Sequence, residues 1–416
     1  MLYATITVAV LGGILYLALQ PASERLIIKG NVYPKFKRVE ELFESASQGE
    51  RGGTAMAVLY KGELVADLWG GWADKDANVL WEKSTLASAY SLTKIFVGLT
   101  MAKLNLEDTY DYDNKVTDFW PEFGSHGKEN TTILQILDHQ AGLIRFSRDF
   151  SLQEAKDSTV ISRIIEETVP QWKHGEKMGY AGLSYGFLVD QLVRRLDKKH
   201  RSAVDYVKEE LLAKAQGLDF FIGAPVEQQY RMARVSNPSL LQSTISTLSD
   251  PIRYLNIMHN FFKHDMIAEA SGSYPRFLDI MPPSPIPYNG PVLRSFGLLS
   301  CSSVGTARGL AAAVRIAASQ IPRDHLLSIM NKVQEAADIV LTTRRHFGHG
   351  FSFARHPLEK ERFIIQFIGN GQQMVAFDPI DDLIVVILRN GLHAAEDGRP
   401  EMEAILLEAF RSAAAA

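Results

Sequence analysis

The chain has one cysteine, Cys301, in 416 residues. A disulfide framework needs pairs and a thiolate zinc site needs several, so both are excluded. The compartment stays open, because a large secreted enzyme can fold without bridges. Long runs of one charge are also missing: 48 acidic against 44 basic residues leave a formal net charge of -4, which sets nucleic-acid binding aside. There is no H-E-x-x-H, no P-loop and no G-x-G-x-x-G placed after a strand, so no metal and no cofactor is expected. No internal repeat is present.

What is there begins with one long apolar run. Residues 2–19, LYATITVAVLGGILYLAL, hold 18 residues without a charge, which at about 1.5 Å per residue just reaches across a bilayer core. This predicts an N-terminal transmembrane helix at 1–22, a single-pass membrane anchor; a cleaved signal peptide, making the protein secreted, is the alternative. A basic connector at 23–38 follows, with Arg25, Lys29, Lys35, Lys37 and Arg38, which by the positive-inside tendency would hold the body on the cytosolic side. The sequon at Asn130 points the other way, so orientation is left open.

The whole chain is 46% hydrophobic and 22% charged, an ordinary globular composition, and the remainder, 39–416, is long enough to bury a large core. TAMAVLYKGELVADLWGG reads as a hairpin turning at Lys61-Gly62, and RFIIQFIGNG, QQMVAFDPIDD and LIVVILRNG as three successive strands, followed by a helix in EMEAILLEAFRSA. Between them the pattern is mostly helical; YGFLVDQLVRRLDKK carries a stripe of Tyr185, Leu188, Val189, Leu192, Val193 and Leu196. The expectation is an α/β (α+β) fold: one antiparallel sheet built from both chain ends, about 39–100 and 340–416, with a mainly helical part inserted at about 101–339. The proline-rich stretch 273–291 reads as a long loop near a functional face.

ASAYSLTKIFVGL places Ser91 and Lys94 three residues apart at the start of an apolar helix. That spacing puts amine and hydroxyl on one face, apolar surroundings disfavour the ammonium form, and a helix N-terminus favours negative charge on the serine. The ordinary alternative is a serine at a helix start and a lysine reaching water. A second S-x-x-K, Ser125 to Lys128, lies in a polar loop where nothing is expected to desolvate the lysine. GLSYG around Ser184, with Asp382 and His393 downstream, matches G-x-S-x-G, but no apolar strand precedes it, so Ser184 is placed in the first turn of the following helix. His346 and His349 have no third ligand at suitable spacing and read as loop histidines.

YSLTK, then TILQILDHQAGL at 132–143, GYAGLSYGFLVDQLVRR, SSVGTARGLAAAV and FIGNGQQMVAFDP follow one another in an order that resembles the β-lactamase-related serine hydrolases. That group includes class C β-lactamases, penicillin-binding proteins, family VIII carboxylesterases and the β-lactamase-like proteins of animals. The resemblance covers about residues 35 to 416 and implies a β-lactamase/transpeptidase-like fold. It implies Ser91 as the acylated nucleophile, Lys94 and Tyr180 as its proton relay, and backbone N–H groups of Ser91 and Asn370 as the oxyanion hole.

Two departures stand out. Gly182 occupies the place of the asparagine in the tyrosine motif, and Phe367-Ile368-Gly369 that of a Lys-Thr-Gly or His-x-Gly triplet. A pocket bounded by Gly182, Phe367 and Gly369 is thus more apolar and less charge-selective than a β-lactamase pocket. The expected function is a membrane-anchored esterase or amidase acting on a small or lipid-like acyl substrate, or a peptide, with oligomerisation left open. The rival is a catalytically weak relative serving binding or assembly.

Overall fold

The computed structural model describes residues 26–215, 217–238, 287–393 and 399–415, with isolated positions at 252, 255 and 259. The predicted membrane segment at 1–22 lies outside the described residues, as do residues 273–286 of the proline-rich stretch. The end of that stretch is not all loop: Pro287–Asn289 is a 3-10 turn, and Pro291 opens a short helix to Arg294, a position where proline's missing N–H is no loss. Among the described residues no helix is long and apolar enough to cross a membrane.

The strands in chain order are β1 Ile28–Val32, β2 Gly53–Tyr60, β3 Glu63–Asp74, β4 Val79–Leu80, β5 Ala87–Ser88, β6 Phe220–Ile222, β7 Ser303–Gly305, β8 Gln334–Ala337, β9 Arg344–Gly348, β10 Phe351–Arg355, β11 Phe363–Gly369, β12 Gln373–Asp378 and β13 Leu383–Arg389. The predicted hairpin is β2–β3, and both turn residues, Lys61 (φ 50°) and Gly62 (φ 83°), take the positive φ that a tight turn demands. The main sheet runs β1-β3-β2-β13-β12-β11-β10-β9-β8, with β4 beside β3. Its two halves meet where β13 pairs antiparallel with β2, Val385 opposite Val58.

β13 reads LIVVILR, without polar alternation, because both its faces are covered. Ile384, Val386 and Leu388 point into one core, which includes the helix Ile95–Leu106. Leu383, Val385 and Ile387 point into the other, under the helices Lys37–Ser47 and Arg399–Ala414. Each such side chain contributes about 1.5–3 kcal/mol on burial. The helix Ile95–Leu106 is apolar nearly all round for the same reason: it is wrapped by core on every side.

Five strands of the sheet were not legible, the two-residue β4 among them. β1 lies inside the predicted basic connector, and its residues IKGNV are mostly exposed at the sheet edge; β8, β9 and β10 are short or polar. The mainly helical part also contributes two strands to a small sheet ordered β5-β7-β6. That small sheet fixes the segment entering the Ser91 turn, since the Ala89 N–H donates to Ser303 O at 2.9 Å.

Candidate active site

Ser91 does not lie in the α-helix itself. It sits in a 3-10 turn, Tyr90–Lys94, and the helix starts at Ile95. Tyr90 has a φ of 48°, an unusual value for a bulky residue, so the surroundings must hold it. They do so twice over. The buried Tyr90 ring packs edge-on against Tyr288 at 4.9 Å, and Thr93 Oγ1 donates to Tyr90 O at 2.5 Å and accepts from Ser303 N at 3.0 Å. The strained turn presents the half-buried Ser91 hydroxyl to Tyr180, whose Oη donates to Ser91 Oγ at 2.7 Å.

Lys94 is 1% exposed. Its Nζ donates to the carbonyls of Gly182 (2.9 Å) and Ser300 (2.8 Å) and lies 4.9 Å from the centre of the Tyr180 ring. The apolar setting read from the sequence is therefore lined with carbonyl oxygens at the amine itself. Gly182 offers no side chain to a substrate, but its carbonyl is one of Lys94's two acceptors. Ser300 had no motif to mark it; it is 206 residues from Lys94 in the chain.

The strand end opposite the turn is close enough to matter. A Cβ on Gly369 would lie 3.1 Å from Ala89 O, so only glycine lets β11 approach the Ser91 turn without displacing it. Asn370 follows directly, and Phe367 is buried beside Lys94 and Tyr180.

Three further residues frame Tyr180. The His139 ring lies 5.1 Å from the Tyr180 ring and 4.4 Å from that of Tyr185, and its Nδ1 accepts from Ala181 N at 3.3 Å. Burial above all, then the charges of Arg345 and Lys94, holds His139 well below the usual histidine range, so the ring is neutral. Asp338, fully buried, accepts from Tyr180 N at 3.1 Å and pairs with Arg345 at 3.4 Å; the Arg345 guanidinium sits 4.9 Å from the Tyr180 ring. Arg345 comes from β9, next to the histidines read as loop residues.

The competing motifs do not converge. Ser184 does open the helix Ser184–Leu196, buried, its hydroxyl donating to Leu143 O at 2.8 Å. Asp382 pairs with Arg315 at 3.0 Å and His393 with Glu50 at 3.1 Å. Ser125 is exposed and donates to Glu122 O. Lys128 corrects the expectation of a solvated lysine: it is fully buried, donating to Glu166 O (3.0 Å) and Thr168 O (2.6 Å), and burial lowers its pKa to about 8. His346 lies on β9 rather than in a loop, against Phe363 at 5.0 Å, while His349 is buried against Tyr112 at 4.3 Å. A group of His356, Glu359 and Asp381 brings three ligand atoms together, but His356 Nδ1 accepts from Leu358 N and Glu359 N. The ring proton is then on Nε2, the nitrogen facing Asp378 and Asp381, and a protonated nitrogen is no ligand.

Comparison with known proteins bears on the family and the fold. The family described as Beta-lactamase matches residues 37–410. The Esterase/beta-lactamase LipL of Mycobacterium tuberculosis is 31% identical over 211 residues, 50% of this chain and 48% of that protein, so the match spans about half the length of that relative. Among solved structures, a penicillin-binding protein homologue from Caulobacter crescentus superposes with a TM-score of 0.73 at 24% identity, covering 93% of this chain and 100% of that one. A family VIII carboxylesterase gives 0.76 at 22% identity with the same coverage. A class C beta lactamase gives 0.60 at 15% identity, covering 91% and 98%. At these identities the structural likeness is one of fold.

Proposed function

The chain belongs to the beta-lactamase family, and from that premise we propose that it is a serine hydrolase acylated at Ser91, working on esters or amides rather than on β-lactam antibiotics. The observation that carries the reading is the 2.7 Å contact between Ser91 Oγ and Tyr180 Oη, with Lys94 against the same ring. Ser91 Oγ attacks the acyl carbonyl and its proton passes to the Tyr180–Lys94 pair. The tetrahedral oxyanion takes backbone N–H bonds from Ser91 and Asn370. Collapse breaks the bond to the leaving group, which departs with the relayed proton, and water then cleaves the acyl-serine by the same route.

Gly182 lacks the side-chain amide that would hold a β-lactam's amide, and Phe367 and Gly369 lack the cation that would receive its carboxylate. An uncharged ester, a lipid-like acyl group in particular, suits such a pocket. The apolar run at 2–19 would anchor the enzyme where such substrates collect.

The test is intact-mass spectrometry of the full chain after treatment with a fluorophosphonate, comparing the unaltered protein with Ser91→Ala. One adduct, mapped to Ser91 and missing in the variant, is expected. Well-folded protein that takes no adduct and cleaves no ester would replace this reading with a binding or assembly role.

A further inference from the structure

We propose that Arg345 is a positioning residue for Tyr180, supplying from β9 the positive charge that the end of β11 lacks. The inference rests on the hydrolase reading above and refines it. Phe367, Ile368 and Gly369 end β11 without a cation, yet the phenol is not left with Lys94 alone. Arg345, two strands away in the order β11-β10-β9, reaches back so that its Cζ lies 4.9 Å from the Tyr180 ring centre, the same distance as Lys94 Nζ. A guanidinium and the Lys94 amine thus approach one aromatic ring whose hydroxyl touches the nucleophile.

The guanidinium is not free to wander. Its Nη1 pairs with Asp338 Oδ2 at 3.4 Å and its Nη2 donates to Ser352 Oγ at 3.3 Å, with the side chain 19% exposed. Asp338 Oδ1 meanwhile accepts from the backbone N–H of Tyr180 (3.1 Å), Val340 (2.9 Å) and Leu341 (3.1 Å). One buried carboxylate therefore ties both the main chain of Tyr180 and the cation beside its ring. Arginine suits this place where lysine would not, because a planar guanidinium can serve a carboxylate, a hydroxyl and an aromatic ring at once.

The surroundings strengthen the effect. Phe347, Phe351 and Phe367 wall the small space shared by Arg345, Lys94 and Tyr180, and low polarity lengthens the reach of each charge. His139, neutral, adds no competing charge. Negative charge that reaches the Tyr180 oxygen during proton transfer is stabilised from two sides.

The decisive experiment uses the full chain with two p-nitrophenyl esters, the butyrate and the carboxylate-bearing hemisuccinate, and compares Arg345→Gln, Arg345→Met and Arg345→Lys. Gln keeps donors for Asp338 and Ser352 but loses the charge, so it remains informative should Met fail to fold. The expected result is a fall in kcat of about 10- to 100-fold for both esters in Gln and Met, with KM within about twofold and partial recovery in Lys. Unchanged kcat in Gln overturns the proposal, as does a loss confined to KM for the hemisuccinate, which would make Arg345 a substrate receptor. Equal loss in Lys and Gln with a matching drop in Tm makes it a structural clamp and also overturns it. A parent protein inert to both esters and to fluorophosphonate removes the hydrolase reading, and this proposal with it, an outcome distinct from active parent and equally active variants.

Discussion

Tyr180, not Lys94, holds the hydroxyl of Ser91: the phenol reaches it at 2.7 Å, while the lysine three residues away turns to the carbonyls of Gly182 and Ser300. The two partners should therefore fail differently. Tyr180→Phe removes one half-buried hydroxyl, and it is expected to slow fluorophosphonate labelling at least about 100-fold with stability within about 1 kcal/mol of the parent. Lys94→Met removes the relay and strands two carbonyls, so labelling falls as far and stability falls too, by about 1–3 kcal/mol. Labelling rates beside urea melts decide this; equal stabilities would mean that the two carbonyls find other donors.

Gly186 supports the same geometry from behind. A Cβ there would lie 2.6 Å from Leu298 Cγ and 2.7 Å from Ser300 Oγ, so the helix Ser184–Leu196 can pack on the Ser300 segment only through glycine. Gly186→Ala is expected to cost about 1–3 kcal/mol by overpacking. Because Ser300 also holds Lys94, labelling of Ser91 should slow even at temperatures where the variant is fully folded. A destabilised variant with unaltered labelling would uncouple the helix contact from the site.

The legible part of this molecule was the part written in short-range spacing. Ser91 and Lys94 announce themselves three residues apart in an apolar stretch, the hairpin at Lys61-Gly62 and strands β11 to β13 follow from alternation and turn residues, and Ser184 was placed correctly because no strand precedes it. Arg345, Asp338 and Ser300 carry no such mark. They meet Tyr180 and Lys94 only because the strand order returns the chain's end to its beginning. Lys128 was misread for a related reason: its loop is polar in sequence, but the acceptors that bury it, Glu166 O and Thr168 O, are about 40 residues away.

Lys128 gives a clean contrast with Ser91 and Lys94. The same S-x-x-K spacing yields a buried lysine that donates to main-chain carbonyls and an exposed serine turned towards Glu122. Lys128→Met should destabilise the protein by about 1–3 kcal/mol through its stranded carbonyls, and neither it nor Ser125→Ala should change the rate or place of fluorophosphonate labelling. An adduct on Ser125 in the parent protein would contradict the assignment of Ser91.

Asp138 should set a measurable pH dependence of stability. Its carboxyl is fully buried; one oxygen accepts from Gly350 N at 3.1 Å and the other has no hydrogen-bond partner among the described residues. Burial raises its pKa to about 7, against the lowering effect of the Gly350 and His349 N–H groups. The unfolded chain releases this proton near the ordinary 3.8, whereas the folded protein keeps it to about 7. Between those values the folded state binds the extra proton, so stability falls as pH rises, by up to about 4 kcal/mol across the window. His349, held down to about 4 chiefly by burial, acts in the opposite sense up to 6.5, but it is common to parent and variant and cancels in their difference. Asp138→Asn mimics the protonated acid. Urea unfolding should find the variant gaining on the parent by about 3 kcal/mol between pH 5 and pH 8, the share of the window that lies above pH 5, the parent having lost the rest already between 3.8 and 5. Parallel curves from pH 5 to 8 would mean that Asp138 ionises without penalty inside the fold.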